Sequence, residues 1–300
     1  MSLTAQPHMS GSQPTSPGAL TCFAEAPSSL ATQTKPTRAP RVQSTDQFGA
    51  VARRMEQSMN AAERLLDQAD VTEVELTVVI PVYNEPVTVV EIVNRVRALP
   101  ISKQIIVVDD GSTDGTSQTL QKLSQLPEVV LLTHTVNRGK GAALQTGFEY
   151  AQGQIVIVQD ADLEYDPADI LRVIEPLQGG HSDVVYGSRY LENAQQDPSW
   201  LHRLGNWGLT AFSNMLTGQR LTDMETCYKA FRRELLQQIH IEQDRFGFEP
   251  EITAKLARRG VSIREVSVSY ACRTRQEGKK IGWRDLLSTL YCIVRYRLLH

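Results

Sequence analysis

Short apolar runs rich in β-branched residues alternate with amphipathic helical patterns from Glu75 onward. The first run, 76–82, is followed by a helical stripe at 89–96 and by a second run at 104–108. Two more helix and strand patterns continue the alternation to Val158. This order is typical of an α/β fold with a mostly parallel sheet, helices on both faces and right-handed crossovers. In such sheets the ligand crevice lies at the carboxyl ends of the strands.

An acidic segment directly follows the last of these strand patterns, Ile155–Val158. Residues two apart in an extended chain point to the same side, so Asp160 and Asp162 can present two carboxylates to one divalent cation. Their position at a strand end indicates a metal that bridges a diphosphate. An acidic turn that caps the next helix is the alternative, because Asp is common in turns.

Other polar segments end neighbouring strand patterns and should meet at the same edge of the sheet. The loop before Pro86 can turn sharply and aim Tyr83 and Glu85 into the crevice, where a nucleoside can rest. Asp109 and Asp110 end the second strand pattern, where carboxylates can accept hydrogen bonds from a ribose or a base N–H. An ordinary turn and helix start uses the same residue types and is the alternative.

A short basic segment precedes the third predicted helix. Arg138 and Lys140 alternate with glycines, and the amide groups at a helix N-terminus also favour negative charge, so this segment can cradle an anion. The G-x-x-x-x-G-K-[ST] and G-x-G-x-x-G patterns are both absent as strand-to-helix motifs, which weakens an ATPase or dehydrogenase interpretation.

Charge and cysteine usage exclude several classes of protein. A net charge of -3 gives no general attraction to nucleic acid, so any phosphate must be met by local basic groups. The 4 cysteines are far apart and contain no C-x-x-C pair, which argues against a structural zinc site or a disulfide framework. No apolar stretch is long enough to span a bilayer and no secretory signal is present, so a cytoplasmic location is expected.

Four strings resemble, in their order and spacing, the inverting family 2 glycosyltransferases with a GT-A fold. They are IPVYNE, VVDDGSTDGT, NRGKGAALQTGFEYAQGQIVIVQDADLEYDP and DVVYGSRY. The closest likeness is to the polyprenyl-phosphate, or dolichyl-phosphate, mannose and glucose synthases, and it covers about residues 75–280. Each motif alone is weak, but the combination is highly specific.

The resemblance implies a nucleotide diphosphate sugar as donor, with UDP-glucose and GDP-mannose both compatible. It implies that Asp160 and Asp162 handle Mg²⁺ or Mn²⁺ at the diphosphate, with Glu164 as a third candidate ligand. Relatives often carry Gln at the position of Glu164, and Glu keeps an oxygen donor but adds charge. The residues implied to hold the nucleoside are Pro81, Tyr83, Glu85, Asp109 and Asp110.

The second half of the chain is expected to hold the acceptor. Arg189 follows a predicted strand and can pair with a phosphate oxygen through its planar fork, although a surface arginine is the alternative. Asp223 lies in a segment that resembles the family's acceptor-side motif, where a carboxylate removes the proton from a hydroxyl acceptor. A phosphate acceptor is already an anion and needs no such base. Arg273 and Lys279 belong to a basic loop that can fold over both phosphates, or is simply a solvated loop.

The two ends of the chain differ from this domain. Residues 1–47 are rich in Ser, Thr, Pro, Gln and Gly without apolar periodicity, which predicts disorder. An amphipathic helix is predicted over 48–70, with an unknown docking surface. Apolar and basic residues are interleaved at 200–216 and 283–300, as in helices at an anionic membrane interface or in core helices.

These features together predict a metal-dependent inverting glycosyltransferase that moves a hexose to a polyprenyl phosphate at the cytoplasmic membrane face. Asp160, Asp162, Asp223 and Arg189 are the candidate catalytic residues. One alternative is transfer to a hydroxyl of a glycan or small molecule with Asp223 as base. A sugar-phosphate nucleotidyltransferase is disfavoured because its glycine-rich basic N-terminal loop is missing. A non-catalytic nucleotide-sugar binding scaffold is the alternative from another class.

Overall fold

The structure is a computed structural model that describes residues 74–192, 200–245, 247–272 and 283–299, apart from the side chains of 201–202, 283–285 and 299. The chain divides into two units, Met1–Gln68 and Ala69–His300, and all the described residues lie in the second. The disordered segment predicted at 1–47 and the helix predicted at 48–70 lie outside the described residues.

Within the described residues, seven strands form one sheet. They are β1 (Leu76–Val82), β2 (Lys103–Asp109), β3 (Val129–Thr133), β4 (Ile155–Val158), β5 (Val184–Ser188), β6 (Lys229–Arg232) and β7 (Arg264–Ser267). Their order across the sheet is β3-β2-β1-β4-β6-β5-β7. Neighbouring strands run parallel except at β6, which is antiparallel to both β4 and β5. The predicted mostly parallel sheet is confirmed, whereas the sequence patterns had not indicated β6.

Helices connect these strands in the alternation that the sequence predicts. They are α1 (Thr88–Arg97), α2 (Thr116–Leu123), α3 (Lys140–Glu149), α4 (Ile170–Gln178), α5 (Trp200–Thr217), α6 (Arg233–Gln237), α7 (Phe248–Arg258) and α8 (Trp283–Val294). A 3₁₀ turn precedes α4 and a π-helical turn, Arg295–Leu299, follows α8. The apolar stripe of α1 faces the core, because Val89, Ile92, Val93 and Val96 are all buried.

The central strands are buried along almost their whole length. Every residue of β4 is buried, and in β1 only Pro81 is partly exposed. Continuous apolar runs are expected of parallel strands that are covered on both faces. The polar exception, Thr77, donates to Oε1 of Gln104 at 2.8 Å and accepts the Gly153 N–H at 2.8 Å, so it is satisfied. These strands therefore form a rigid platform for the loops at their ends.

The strand register brings several loops to one edge of the sheet. Val82 at the end of β1 pairs with Asp109 at the end of β2, and Val158 at the end of β4 pairs with Val79 of β1. Because β6 is antiparallel, it begins at this edge, where Lys229 pairs with Tyr186 near the end of β5. The loop before β6 is therefore delivered to the same edge as the acidic segment that follows β4.

Helix α8 has one buried and one exposed side. It packs with α5 and α7, and Cys292, Ile293 and Tyr296 are buried there. Leu287 and Tyr291 are 54% and 58% exposed. None of the helices in the described ranges combines the length and the apolar character that a membrane-crossing segment needs.

Candidate active site

Asp109 organises the loop that follows β2. Its Oδ1 accepts the Ser112 N–H at 3.0 Å, and its Oδ2 accepts the Ser117 hydroxyl. Gly111 has a φ of 71°, and a Cβ there would lie 2.6 Å from the Val136 carbonyl carbon, so this turn requires glycine. The buried Asp109 carboxylate thus shapes the turn that presents its neighbours.

Asp110 fastens the basic segment to the same loop. Its Oδ1 accepts the Arg138 N–H at 2.9 Å and its Oδ2 accepts the Gly139 N–H at 2.6 Å. Nδ1 of His134 lies 2.7 Å from Oδ1, and its Nε2 lies 3.0 Å from the Thr146 hydroxyl. A carboxylate only accepts, so we assign the proton to Nδ1. Asp110 therefore holds the anion cradle in place, and only part of its hydrogen-bonding capacity remains for a nucleoside.

The loop after β1 is tied to the loop after β2 through Asn84. Its backbone N–H donates to the Ser112 hydroxyl at 3.1 Å, and its Oδ1 accepts the Thr113 N–H at 2.8 Å. Asn84 adopts a φ of 57°, a left-handed conformation that Asn tolerates better than most residues. Sequence reasoning did not single out Asn84, although a polar residue in a tight turn is the signal that could have found it.

The predicted nucleoside-binding residues around Asn84 differ in exposure. Tyr83 is 46% exposed, so its ring is available to stack on a planar group. Glu85 is partly buried and its Oε2 accepts the Thr88 hydroxyl at 2.6 Å. Pro81 lies within β1 and is paired with Val108 of β2, so it contributes to the strand and not to the loop.

Lys140 bridges two carboxylates at the start of α3. Its Nζ lies 3.0 Å from Oδ1 of Asp160 and 3.2 Å from Oε1 of Glu249. Burial alone would lower the pKa of Lys140, but Asp160 and Glu249 outweigh burial and hold that pKa well above its ordinary value. Lys140 is therefore a permanent cation beside the acidic segment, and Arg138 is exposed next to it.

The segment that carries Lys140 is braced by the chain before α7. A Cβ at Gly139, whose φ is 108°, would lie 2.4 Å from the Asp244 carbonyl oxygen. The Ala142 N–H donates to that same carbonyl at 3.0 Å. This contact joins the two halves of the chain at the site. Neither Glu249 nor Asp244 had been expected from the sequence, because their role depends on this long-range packing.

The acidic segment forms a tight turn with oxygen donors at its surface. Oδ1 of Asp162 accepts the Glu164 N–H at 3.1 Å, and Leu163 between them has a φ of 62°. Oε2 of Glu164 accepts the Tyr270 hydroxyl at 3.1 Å. Asp160 and Asp162 are both partly exposed. Glu164 is thus anchored to the second half of the chain, whereas the two aspartates lie at the open edge.

The donor set at this edge suits a hard divalent cation. Carboxylate oxygens are the ligands that Mg²⁺ and Mn²⁺ prefer, and Mg²⁺ commonly uses one or two carboxylates plus phosphate oxygens and water. The part of the chain that the structure describes contains no cluster of three or more His, Cys, Asp or Glu side chains arranged around one point. The carboxylates of Asp160 and Asp162 are the side chains at this edge that would hold such a cation.

Arg189 and Asp223 form a buried bidentate pair. Nε of Arg189 donates to Oδ2 of Asp223 at 2.6 Å, and Nη2 of Arg189 donates to Oδ1 of Asp223 at 2.7 Å. The backbone N–H of Arg189 also donates to Oδ2 at 3.1 Å. Asp223 is 0% exposed. Burial lowers the pKa of Arg189, but Asp223 outweighs it and the pKa stays well above its ordinary value. The Asp223 carboxylate is occupied by this pair, and a general base needs hydrogen-bond reach to its substrate.

Arg189 also faces aromatic rings, since its guanidinium carbon lies 5.1 Å from the centre of the Tyr270 ring and 5.4 Å from that of Tyr190. The fork of the guanidinium is therefore fixed by a carboxylate and by two rings. Arg273 and Lys279, the other predicted acceptor-side cations, lie outside the described residues.

The profile of glycosyl transferase family 2 matches residues 77–240, and the protein belongs to that family. It is a glycosyltransferase with the GT-A fold that the sequence resemblance predicted.

Curated relatives share this domain. The chain is 32% identical over 230 residues to the undecaprenyl-phosphate 4-deoxy-4-formamido-L-arabinose transferase of Aeromonas hydrophila subsp. hydrophila, covering 74% of this chain and 68% of that protein. It is 30% identical over 226 residues to the polyprenol monophosphomannose synthase of Mycolicibacterium smegmatis, covering 72% and 85%.

A solved structure has the same fold. Glucosyl-3-phosphoglycerate synthase from Mycobacterium tuberculosis, in complex with Mn²⁺, UDP and phosphoglyceric acid, superposes with a TM-score of 0.59 at 18% identity. The match covers 75% of this chain and 79% of that one.

Proposed function

We propose that the protein transfers a hexose from a nucleoside diphosphate sugar to the phosphate of a polyprenyl phosphate, with inversion at the anomeric carbon. The observation that carries the proposal is the convergence of Asp160, Asp162, Lys140 and Arg189 at one edge of the sheet. Relatives named for transfer to undecaprenyl phosphate and for polyprenol monophosphomannose synthesis support this acceptor class.

The donor is held from two sides in this proposal. Tyr83 and Glu85 meet the nucleoside, and Asp109 and Asp110 shape the loops on which it rests. Asp160 and Asp162, with Glu164 beside them, would hold Mg²⁺ or Mn²⁺. Such a cation supplies positive charge that offsets the charge growing on the departing nucleoside diphosphate.

The side chains of Lys140 and Arg138 act on the same diphosphate, whereas the Gly139 and Ala142 amides around the start of α3 already donate to Asp110 and to the Asp244 carbonyl. Lys140 keeps its charge next to Asp160, so it lowers the net negative charge of the acidic edge. A diphosphate is thereby met by fixed positive groups when it binds.

The acceptor phosphate is oriented by Arg189 in this proposal. An oxygen of the acceptor phosphate attacks the anomeric carbon from the face opposite the diphosphate. This single displacement releases the nucleoside diphosphate and inverts the configuration at the anomeric carbon. Two N–H groups of Arg189 are fixed on Asp223, and the guanidinium has further N–H groups for a phosphate oxygen. Arg273 and Lys279 remain predicted partners of the same phosphate.

Transfer to a hydroxyl is the weaker candidate. It requires a base, and the sequence offered Asp223 for that role. The buried pair with Arg189 favours a positioning role for Asp223, which suits an acceptor that is already an anion.

A nucleotide-release assay on the full chain tests the proposed function. The donor panel is UDP-glucose and GDP-mannose, each with Mg²⁺ or Mn²⁺ and with or without a short polyprenyl phosphate. We expect release of a nucleoside diphosphate that requires both the metal and the polyprenyl phosphate. Release that proceeds equally with a simple alcohol in place of the lipid phosphate would favour the hydroxyl acceptor.

We also propose that the protein contacts the cytoplasmic face of the membrane through α5 and α8. Trp200 and Trp207 of α5 are each 67% exposed, and Met215 is 71% exposed. On α8, Leu287 and Tyr291 are exposed as well. Exposed apolar and aromatic side chains on two packed helices suit the boundary between headgroups and acyl chains.

A further inference from the structure

The loop between α5 and β6 is held almost residue by residue. Backbone and side-chain groups on both sides of position 225 form hydrogen bonds with partners in α5, β5, β7 and the acidic segment. These bonds are Thr222 N–H and Asp223 N–H to Glu265, Met224 N–H to Thr210, Thr226 hydroxyl to the Gly187 carbonyl, and Cys227 N–H to the Tyr165 hydroxyl. The side-chain Nζ of Lys229 donates hydrogen bonds to the Met224 and Thr226 carbonyls. The backbone around position 225 is therefore rigid.

Glu225 is the exception in this loop. Its Oε1 is enclosed and has no hydrogen-bond partner among the described residues. Buried polar atoms are almost always hydrogen-bonded in native proteins, so an enclosed carboxyl oxygen without a donor calls for an explanation. The residue as a whole is only partly buried, and rotation of the carboxyl group exchanges its two oxygens. A ligand can thus supply the missing partner.

The charges around Glu225 connect it to both halves of the site. Burial, Glu249 and Asp223 raise the pKa of Glu225, Lys229 and Arg189 lower it, and the net result is a pKa of about 8. Glu249 is the carboxylate that pairs with Lys140 beside Asp160. Glu225 therefore lies within electrostatic range of the diphosphate side, through Glu249, and of the acceptor side, through Arg189.

The chemistry of a carboxyl group limits which part of the substrates Glu225 can bind. Either phosphate is a poor partner, because both are anions and Lys140 and Arg189 already serve them. The nucleoside belongs to the loops after β1 and β2. The remaining part of the substrates is the sugar, whose hydroxyl groups both donate and accept hydrogen bonds. A carboxyl group that is protonated near neutral pH can also do both.

We propose that Glu225 hydrogen-bonds a hydroxyl group of the transferred sugar and selects which sugar is accepted. This inference rests on the proposed function, because it assumes a nucleoside diphosphate sugar at this edge. A site built to bind a hydroxyl group discriminates strongly against a sugar that leaves its polar group without a partner.

The test is isothermal titration of the full chain, with Mg²⁺ or Mn²⁺ present, comparing nucleotide sugars with the bare nucleoside diphosphates. The ligands are UDP-glucose, UDP-galactose, GDP-mannose, UDP and GDP. In Glu225→Ala we expect about tenfold weaker binding of the preferred nucleotide sugar, in line with the loss of one hydrogen bond to a charged or buried group. Affinity for the matching bare diphosphate should change less than about twofold, because that part of the ligand is untouched.

Two further variants complete the design. Glu225→Gln keeps the shape and part of the hydrogen bonding, so it should retain binding but reduce the preference between UDP-glucose and UDP-galactose, which differ at one hydroxyl. Glu175→Ala removes an exposed carboxylate on α4 and should match the wild type. Circular dichroism checks that each variant is folded, and Glu225→Gln carries the test if Glu225→Ala does not fold.

The outcomes separate the two proposals. Equal losses for nucleotide sugar and bare diphosphate, or no loss for either in both Glu225 variants, overturn the role of Glu225 and leave the proposed function standing. A wild-type protein that binds none of the nucleotide sugars or diphosphates overturns the proposed function, and the inference with it.

Discussion

At the scale of single residues, the two cations of the candidate site differ in how they are held. Lys140 touches Asp160 and Glu249 at 3.0 and 3.2 Å, as a point charge that can turn toward a third anion. Arg189 is locked in a planar bidentate pair with the fully buried Asp223. The first arrangement suits a diphosphate that shares its charge with a metal. The second suits precise orientation of one phosphate.

The acidic edge gives the first prediction. Replacing Asp160 or Asp162 by Asn removes one charge from the edge but keeps its shape. We expect the turnover number to fall by about 100-fold with the fold intact, because the cation that would offset the charge on the leaving group loses a charged ligand. Nucleotide release at saturating metal measures it, and circular dichroism checks the fold.

Asp183→Asn is the matched control, since Asp183 is an exposed carboxylate whose side chain is 66% exposed in its contact with Arg232. It should keep normal turnover. Near-normal metal-dependent turnover in the purified Asp160→Asn/Asp162→Asn double variant would contradict the assigned role.

The pair of Arg189 and Asp223 gives the second prediction. Asp223→Asn leaves a buried arginine without its counter-charge, and breaking a buried pair typically costs about 3–5 kcal/mol. We expect a lower free energy of unfolding in urea and reduced turnover, with the pH dependence of the remaining turnover unchanged in shape. A variant with wild-type stability that loses one limb of its pH profile would instead identify Asp223 as a general base.

At the scale of elements, the loops of the site are connected by side chains in the loops that follow neighbouring strands. Asp110 after β2 holds the backbone of the segment before α3, and Asn84 after β1 holds the loop after β2. The Asp244 carbonyl braces the same segment from the second half of the chain. Because each loop is bound by another, displacement of one is expected to shift the diphosphate position as a whole.

Helices α5 and α8 give the third prediction. Deleting 283–300 would remove the α8 part of the membrane surface and would also uncover the core, because Ile293 and Tyr296 are buried. Substitution of exposed residues separates the two effects. Leu287→Ser/Tyr291→Ser should weaken sedimentation with anionic liposomes by at least about tenfold, since each apolar side chain removed from the interface costs about 1.5–3 kcal/mol.

The control for this prediction is Tyr150→Ser. Tyr150 is 55% exposed, similar to Tyr291, but its carbonyl accepts from Gln104 near the start of β2, at the opposite edge of the sheet. Liposome binding of this variant should be unchanged. Equal binding by the wild type and the α8 double variant, both folded, would rule out this surface as the membrane contact.

At the scale of the whole molecule, a group of charges in the second half of the domain is linked to the first half by the contact of Glu249 with Lys140. This group includes Glu225, Glu249 and Lys229. The Nζ atom of Lys229 lies 4.2 Å from the centre of the Tyr186 ring. Burial lowers the pKa of Lys229 to about 8, while Glu249 and Glu225 oppose that change. Proton binding at this group is therefore linked to folding.

The fourth prediction concerns this linkage. The pKa of Glu225 is raised from 4.5 to about 8, so between these pH values the folded protein keeps a proton that the unfolded chain releases. The contribution of Glu225 to the free energy of unfolding must then decrease as pH rises through that window. Urea unfolding at pH 5 and pH 8 measures it, as the wild-type value minus that of Glu225→Gln. We expect this difference to fall from pH 5 to pH 8, and a constant difference would contradict the raised pKa.

Much of the fold follows from local patterns. Apolar runs and helical stripes repeat with periods that local backbone geometry imposes, so β1 to β5 and α1 to α3 lie close to their predicted positions. The acidic residues fall at strand ends for the same reason. The sequence patterns did not predict α4, α6, α7, β6 or β7; β6, Lys229–Arg232, and β7, Arg264–Ser267, have only four residues each and are too short for a clear pattern.

The amino-acid sequence by itself determined the α/β alternation, the GT-A family likeness and the candidate residues at the strand ends, because these depend on neighbours along the chain. Only the tertiary structure determined which residues contact one another. It joined Arg189 to Asp223, Asp110 to the Gly139 backbone, and Lys140 to Glu249. These contacts depend on strand order and on the antiparallel insertion of β6, which no local pattern encodes. The same insertion brings Glu225 to the site, with a carboxyl oxygen that no described residue satisfies.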